Sequence, residues 1–310
     1  MTHPTRRRVL TIAAALAALP RTALAAAPVH RWRGTALGAE ASLTLVGVDG
    51  PRAEALARGV EAEIARLEDI FSLYRPGSAL SRLNRDGHLA APPAELVALL
   101  SLCGALNGAT GGAFDPTVQP LWAAHAGAAA EGRTATAAEI AAARALTGWA
   151  GVGIDPARIA LARPGMALTL NGIAQGAIAD RVADLLAAQG LTDVLVDMGE
   201  IVGLGHRPDG TPWQAGIIDP EGALMGRAGL SGRALATSAP MGTVLDPAGR
   251  VGHIFDPRTG AAAAGWRVVS VSAPRAALAD GLSTAFALMA RPAIDAALGA
   301  SPGAALELLV

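Results

Sequence analysis

The chain has 310 residues, 52% of them apolar and 16% charged, with a formal net charge of −1 at pH 7. That balance argues against a nucleic-acid partner, which calls for a basic face. Cys103 is the only cysteine, so there is no intramolecular disulfide framework and stability must come from a hydrophobic core, for which this length is ample.

The first 25 residues read as an export signal. Thr5-Arg6-Arg7-Arg8-Val9-Leu10-Thr11 looks like a twin-arginine signal, an apolar run follows from Val9 to Leu19, and Ala23-Leu24-Ala25 is a small-residue cleavage site. The run is shorter than the ~20 residues a membrane span needs, although a short N-terminal anchor is the alternative reading. Cleavage after Ala25 removes four arginines and no acid, leaving 21 basic against 26 acidic residues and a net charge of −5. The expected organisation is a signal over 1–25, one domain over 26–310, a periplasmic destination and no membrane span after cleavage.

Trp32 to Val48 alternates loosely and reads as a hairpin, with Gly34 and Gly38 near its turns. Arg52 to Leu73 carries helical spacing (Leu56, Val60, Ile64, Leu67, Ile70) with Pro51 near its start. A loop through Tyr74-Arg75-Pro76-Gly77-Ser78 leads to a helix from Pro93 to about Asn107. Residues 126–143, rich in Ala and Gly, read as a surface excursion with a short helix. Ala167 to Leu170 reads as a strand, followed by a helix from Ile173 to Gln189. Further strands are expected over Asp193–Asp197, from Gly199 to near Gly205, and over Trp213–Ile218, Arg250–Phe255 and Trp266–Ala273. A helix over 276–290 and a closing strand from Leu306 to Val310 complete the pattern. Strands joined mostly by turns, with helices clustered between them, predict an α+β fold with a largely antiparallel sheet, one compact unit of two fused lobes.

Several segments carry chemistry. Asp280 and Thr284 lie four residues apart near the start of an apolar helix, so both oxygens face one side. A carboxylate and a hydroxyl on one face make half a hard-cation site suited to Mg²⁺ with a phosphate ligand; a dipole-favoured carboxylate and a hydroxyl bonded to the preceding turn are the alternatives. Asn171-Gly172-Ile173-Ala174-Gln175-Gly176 joins a strand to a helix, where free amides and small residues permit a phosphate to approach. Tyr74, the only tyrosine, is either a half-buried ring with a wet hydroxyl or a ring that stacks on a flat ligand. Gly111-Gly112-Ala113-Phe114-Asp115-Pro116-Thr117 allows close backbone approach to a ligand or is a structural turn. His253 precedes Ile254-Phe255-Asp256-Pro257-Arg258-Thr259-Gly260, where Asp256 and Arg258 could pair across a turn. No histidine spacing supports a zinc or di-iron site, and no nucleophile motif supports a hydrolase.

Taken in order, Phe71 to Ser78, Gly112 to Val118, Leu170 to Gly176, Ala236-Thr237-Ser238, His253 to Gly260 and Ala279-Asp280 with Thr284 resemble the ApbE family, the FAD:protein FMN transferases. The resemblance runs from about Gly34 to Leu288. It implies an exported α+β enzyme that uses Mg²⁺ to cleave FAD between its phosphates. FMN then goes through a phosphoester to a Thr or Ser hydroxyl of an acceptor flavoprotein bearing an Asp-x-x-Ser/Thr-Gly-Ala-Ser/Thr segment, with release of AMP. By the same resemblance Tyr74 contacts the isoalloxazine, and Ala113, Phe114 and Asp115 line the flavin site. Leu37 stands where a methionine contacts FAD, and His253 and Ile254 lie against FAD. Asp280 and Thr284 bind Mg²⁺ through side chains and Gly172 through its carbonyl.

Thr169 and Gln175 stand where the family often has aspartate and lysine, and Ala239 replaces a common glycine; these departures bear on FAD contacts and leave the metal pair intact. Such sequences resemble the branch associated with nitrous-oxide reductase maturation, whose acceptor is the periplasmic domain of a membrane flavoprotein. A periplasmic FAD pyrophosphatase yielding FMN and AMP, and a non-catalytic flavin-binding protein, are the competing readings.

Overall fold

Alternation of apolar residues first builds a hairpin, β1 (Val29–Ala36) and β2 (Ala39–Val46), fully paired from Val29↔Val46 to Ala36↔Ala39. Its two-residue turn has φ of 50° at Leu37 and 83° at Gly38. Both are left-handed, as a tight hairpin turn matched to strand twist demands. The computed structural model in which these elements are seen describes residues 27–246 and 249–310. The export signal expected over 1–25 lies outside the described residues, and among those described no helix is long and apolar enough to cross a membrane.

Helix α1 (Gly50–Phe71) follows, with Asp49 accepting from the Arg52 amide at 2.8 Å and a proline in the first turn. Then come α2 (Ala79–Asp86), β3 (His88–Ala90), α3 (Ala94–Ala109), α4 (Gln119–Ala130), α5 (Ala137–Arg144), β4 (Val152–Asp155) and β5 (Arg158–Leu161). The second half holds α6 (Ala174–Ala188), β6 (Val194–Asp197), β7 (Ile201–Leu204), β8 (Trp213–Ile218), β9 (Leu224–Leu230), β10 (Arg233–Ser238), β11 (Val269–Ala273), α7 (Ala276–Phe286), α8 (Arg291–Gly299) and β12 (Ala305–Leu309).

Seven strands form one antiparallel sheet in the order β1-β2-β6-β7-β10-β11-β12. Alternation along β10 explains its two faces. Ala234 joins the main core under the helices, while Leu235 joins a second cluster with Trp213, Ile217 and Leu230 of the β8–β9 hairpin. The sheet therefore carries α1, α6 and α7 on one side and the hairpin on the other. Helices α2 to α5 and the small sheet β3-β5-β4 make the second lobe, and the main apolar cluster runs through both, joining Leu83, Leu100 and Ile159 to Val196 and Phe286. The α+β class with a largely antiparallel sheet holds.

Local corrections have local causes. Ala167 to Leu170 alternates in burial, yet it belongs to no strand. The Asn84 side chain instead brackets Leu168, donating to its carbonyl at 2.8 Å and accepting its amide at 2.7 Å, and Thr169 donates to the Pro116 carbonyl at 2.8 Å. Residues 250–255 form isolated bridges, Val244↔Gly252 and Phe255↔Ala262, rather than a strand. The Ala/Gly-rich stretch read as a surface excursion with a short helix holds the end of α4 and most of α5, joined by a loop over 131–136, alanine being the strongest helix former. The expected helix over 276–290 ends at Phe286, and α8, with Pro292 in its first turn, starts five residues later.

Candidate active site

The C-terminal end of β10, the glycine-rich entry to α6 and the second and third turns of α7 converge on a cleft of about 360 Å³, within the usual range of small-molecule sites. Asp280 and Thr284 line it from α7 and Gly172 from the entry to α6. A Cβ on residue 172 would come within 2.8 Å of Thr284 Oγ1, so only glycine leaves that hydroxyl room. The backbone enters the cleft at the point where Thr284 stands. Asp280 is 4% exposed and its Oδ2 accepts the Gly176 amide at 3.1 Å. Thr284 Oγ1 lies 3.4 Å from Ser238 Oγ, which also bonds Ser283 Oγ at 2.8 Å. The three residues expected to hold a cation thus meet in one place.

Ala113, Phe114, Asp115, Thr169, Gln175, His253 and Ile254 line the same cleft. Asp115 does so with both oxygens occupied: Oδ1 accepts the Thr117 amide (2.9 Å) and hydroxyl (2.6 Å), and Oδ2 accepts the Trp149 amide at 3.0 Å. Burial raises its pKa against the pull of those bonds. Asp115 therefore fixes the turn that presents Ala113 and Phe114. His253 Nδ1 lies 3.2 Å from the Pro240 carbonyl and 3.3 Å from that of Thr243. Two acceptors at Nδ1 require the proton there, which leaves Nε2 as the basic nitrogen. Burial lowers the pKa of this ring, keeping it neutral at pH 7. Asp256 and Arg258 pair with each other across the turn at 2.8 Å.

Leu37 and Tyr74 are not among the cleft-lining residues. Tyr74 is 71% exposed. The two loops are tied together by Glu68, which accepts the Leu37 amide at 2.7 Å and pairs with Arg75. A ring so exposed contributes little to the core, so Tyr74→Ala should leave the melting temperature unchanged. If the ring stacks on flavin, FAD affinity measured by titration falls by about 0.5–1.5 kcal/mol; an unchanged affinity leaves the ring to solvent.

Glu200 is the site residue that the sequence reading missed. It lines the cleft from the turn between β6 and β7 and is 7% exposed. Burial, then the negative charge of Asp280, pushes its pKa well up, with the Thr237 amide opposing. Its signal in the sequence is faint: two acids, Asp197 and Glu200, around Gly199 at the end of an apolar strand.

Burial likewise pushes Asp280 up to about 7, against the Gly176 amide and with help from the charge on Asp180. Among the described residues that line the cleft are three carboxylates and no lysine or arginine. Two buried carboxylates with no cationic side chain beside them, next to a hydroxyl and a close-packed glycine, suit a hard divalent cation. No group of three or more His, Cys, Asp or Glu that could hold a metal occurs among the described residues. Mg²⁺ does not require one, since it commonly takes one or two carboxylates and completes its shell with waters and substrate phosphate. Gly172→Ala should drive Thr284 off its position. The Mg²⁺ concentration for half-maximal activity is expected to rise about tenfold, equivalent to about 1.4 kcal/mol. Unchanged Mg²⁺ dependence in a folded variant would remove position 172 from the site.

A profile described as the ApbE family matches residues 37–306. Proteins named FAD:protein FMN transferase are similar to the chain. That of Klebsiella pneumoniae (strain 342) is 30% identical over 269 residues, 81% of this chain and 76% of the relative. That of Vibrio cholerae is 33% identical over 254 residues, 75% of this chain and 74% of the relative. Among solved structures, the apo flavinyl transferase ApbE of Pseudomonas stutzeri superposes with a TM-score of 0.74 at 31% identity, covering 87% of this chain and 88% of its own. The ApbE protein of Thermotoga maritima reaches 0.81 at 28% identity, covering 91% and 94%. The profile spans most of the chain, the curated relatives cover three quarters of it or more, and the fold agrees throughout: the chain belongs to the ApbE family.

Proposed function

We propose that this chain is an exported FAD:protein FMN transferase that works with Mg²⁺ and moves FMN from FAD to a Thr or Ser hydroxyl of an acceptor protein. Membership of the family supports the transfer of flavin. The observation that supports the Mg²⁺ requirement is the meeting of Asp280, Thr284 and Gly172 in a cleft whose described lining residues hold three carboxylates and no lysine or arginine. Ionised, Glu200 and Asp280 would repel an entering diphosphate, and a divalent cation would both favour their ionised forms and offset that repulsion.

In this reading the FMN half lies toward Ala113, Phe114 and Ile254, and the diphosphate lies at α7 and the entry to α6, beside the cation site. Bound Mg²⁺ would neutralise charge across the diphosphate and draw electron density from the phosphorus under attack. Asp280, Thr284 and Gly172 would hold it. The acceptor hydroxyl forms the new P–O bond to the FMN phosphorus while the bond to AMP breaks. Its proton passes to Nε2 of neutral His253, and AMP leaves with the electron pair of the broken bond. The rest of the acceleration is positioning of the hydroxyl in line with that bond. The N-terminal stretch, read as an export signal, supports a periplasmic site for the reaction.

The test is incubation of the mature protein with FAD, Mg²⁺ and an acceptor bearing an Asp-x-x-Ser/Thr-Gly-Ala-Ser/Thr segment. Covalent flavin on the acceptor, seen as a fluorescent band and a mass increase of FMN, is the expected result. Free FMN and AMP with unmodified acceptor would identify a pyrophosphatase. FAD bound and never cleaved would identify a flavin-binding protein.

A further inference from the structure

Two helices that present the site start without caps of their own. The residues preceding α6 and α7, Ile173 and Arg275, make no side-chain capping bond. Each helix is capped instead by an aspartate of the other. Asp280 of α7 accepts the Gly176 amide in the first turn of α6 at 3.1 Å. In return Asp180 of α6 accepts the Ala276 amide at 2.7 Å and the Ala277 amide at 3.0 Å, in the first turn of α7. Asp180 is 5% exposed, and nothing in the proposed chemistry uses it.

The lock is close-packed. A Cβ on Gly176 would stand 2.5 Å from the Ala276 carbonyl oxygen, so the helix starts touch backbone to backbone. Asp180 therefore sets how far α7 is pushed along its axis and how it is rotated, one turn before Asp280 and two turns before Thr284. A slide or twist of α7 would move Asp280 off the Gly176 amide and Thr284 off Gly172 together.

We propose that Asp180 is a positioning residue for the cation site, holding α7 so that Asp280 and Thr284 face Gly172. The inference rests on the reading of those three as cation ligands. Arg275 supplies a control, because it pairs with Asp180 Oδ2 at 3.4 Å and with the more exposed Asp184 at 2.7 and 2.8 Å. Asp184 shares the arginine and accepts neither of the two cap amides.

The experiment uses the folded protein with Mn²⁺ as the probe, bound Mn²⁺ being read by electron paramagnetic resonance well below the melting temperature. In Asp180→Asn the Mn²⁺ dissociation constant should rise about 10–100-fold, the usual effect of losing a partner that orients a metal ligand. Transfer should recover as Mg²⁺ is raised, because displacement of α7 weakens the site without removing a ligand. Asp184→Ala should bind Mn²⁺ as wild type does. Should Asp180→Asn not fold, Asp180→Ser, with a smaller hydroxyl acceptor, takes its place. Wild-type Mn²⁺ affinity in a folded position-180 variant, with binding lost in Asp280→Asn, overturns the positioning role alone. Weak binding in Asp184→Ala also overturns it, assigning the effect to Arg275. Wild-type Mn²⁺ affinity in Asp280→Asn overturns the cation reading and this inference with it.

Discussion

Asp280→Asn is expected to abolish Mg²⁺-dependent transfer and at the same time to make the metal-free protein more stable at pH 8. The two effects have one cause. Asp280 is buried, and its pKa is pushed from 3.8 up to about 7. The folded state thus holds the Asp280 proton more tightly than the unfolded chain does. Stability of the metal-free protein falls as pH rises from about 4 to about 7 through this group and is level beyond. The amide of Asn keeps an acceptor for the Gly176 N–H and carries no charge, so that loss disappears. Calorimetry should show a higher melting temperature for the variant than for wild type at pH 8 and little difference at pH 4. Mg²⁺ should raise the melting temperature of wild type far more at pH 8 than at pH 5 and leave the variant unmoved. Transfer should fall by about a hundredfold or more, as when a preorganised electrostatic group is removed. A variant that still responds to Mg²⁺ would place the cation elsewhere.

His253→Gln is expected to lower transfer by about 10²–10⁴-fold, the contribution of a positioned base, while FAD binding and the Mg²⁺-induced stabilisation persist. The ring is half-buried, with Nδ1 facing two backbone carbonyls, so its role is testable apart from the metal. Burial lowers its pKa below 6.5. The neutral, proton-accepting form therefore predominates above that range, and with Mg²⁺ held saturating at each pH the His253 contribution to the transfer rate should rise with pH and level below 6.5. Covalent flavin on the acceptor, followed over time between pH 5 and 8, gives both results. Wild-type rates in the variant would assign His253 to the wall of the flavin site alone.

Two substitutions relative to the family's usual pattern gain meaning from the geometry. Thr169 and Gln175 both line the cleft, and the Gln175 amide packs against Gly199, where a Cβ would meet its Nε2 at 2.4 Å. Gly199 precedes Glu200. A lysine in place of Gln175 would set a positive charge beside that turn; with glutamine there, the buried Glu200 has no cationic side chain lining the cleft with it.

Elements with strong periodicity were readable in advance, because a helix such as α1 or a strand such as β2 buries one face and its apolar spacing reports that face directly. The same holds for the cation pair: four residues on a helix put Asp280 and Thr284 on one side whatever surrounds them. The glycine-rich entry to α6 was legible for a related reason, since glycine marks backbone that something must approach closely. Burial and pairing across distance were not legible. Alternation over Ala167 to Leu170 specifies an extended chain and says nothing of whether its partner is a strand or, as here, the Asn84 amide. Asp115 and Glu200 are both acids beside turns; packing alone makes one a satisfied clamp for Trp149 and Thr117 and the other a buried charge facing Asp280. The exchange of caps between α6 and α7 joins residues 96 to 104 positions apart. Local chemistry names the ligands, while the packing of two helix starts, with glycine at the contact, decides that they meet.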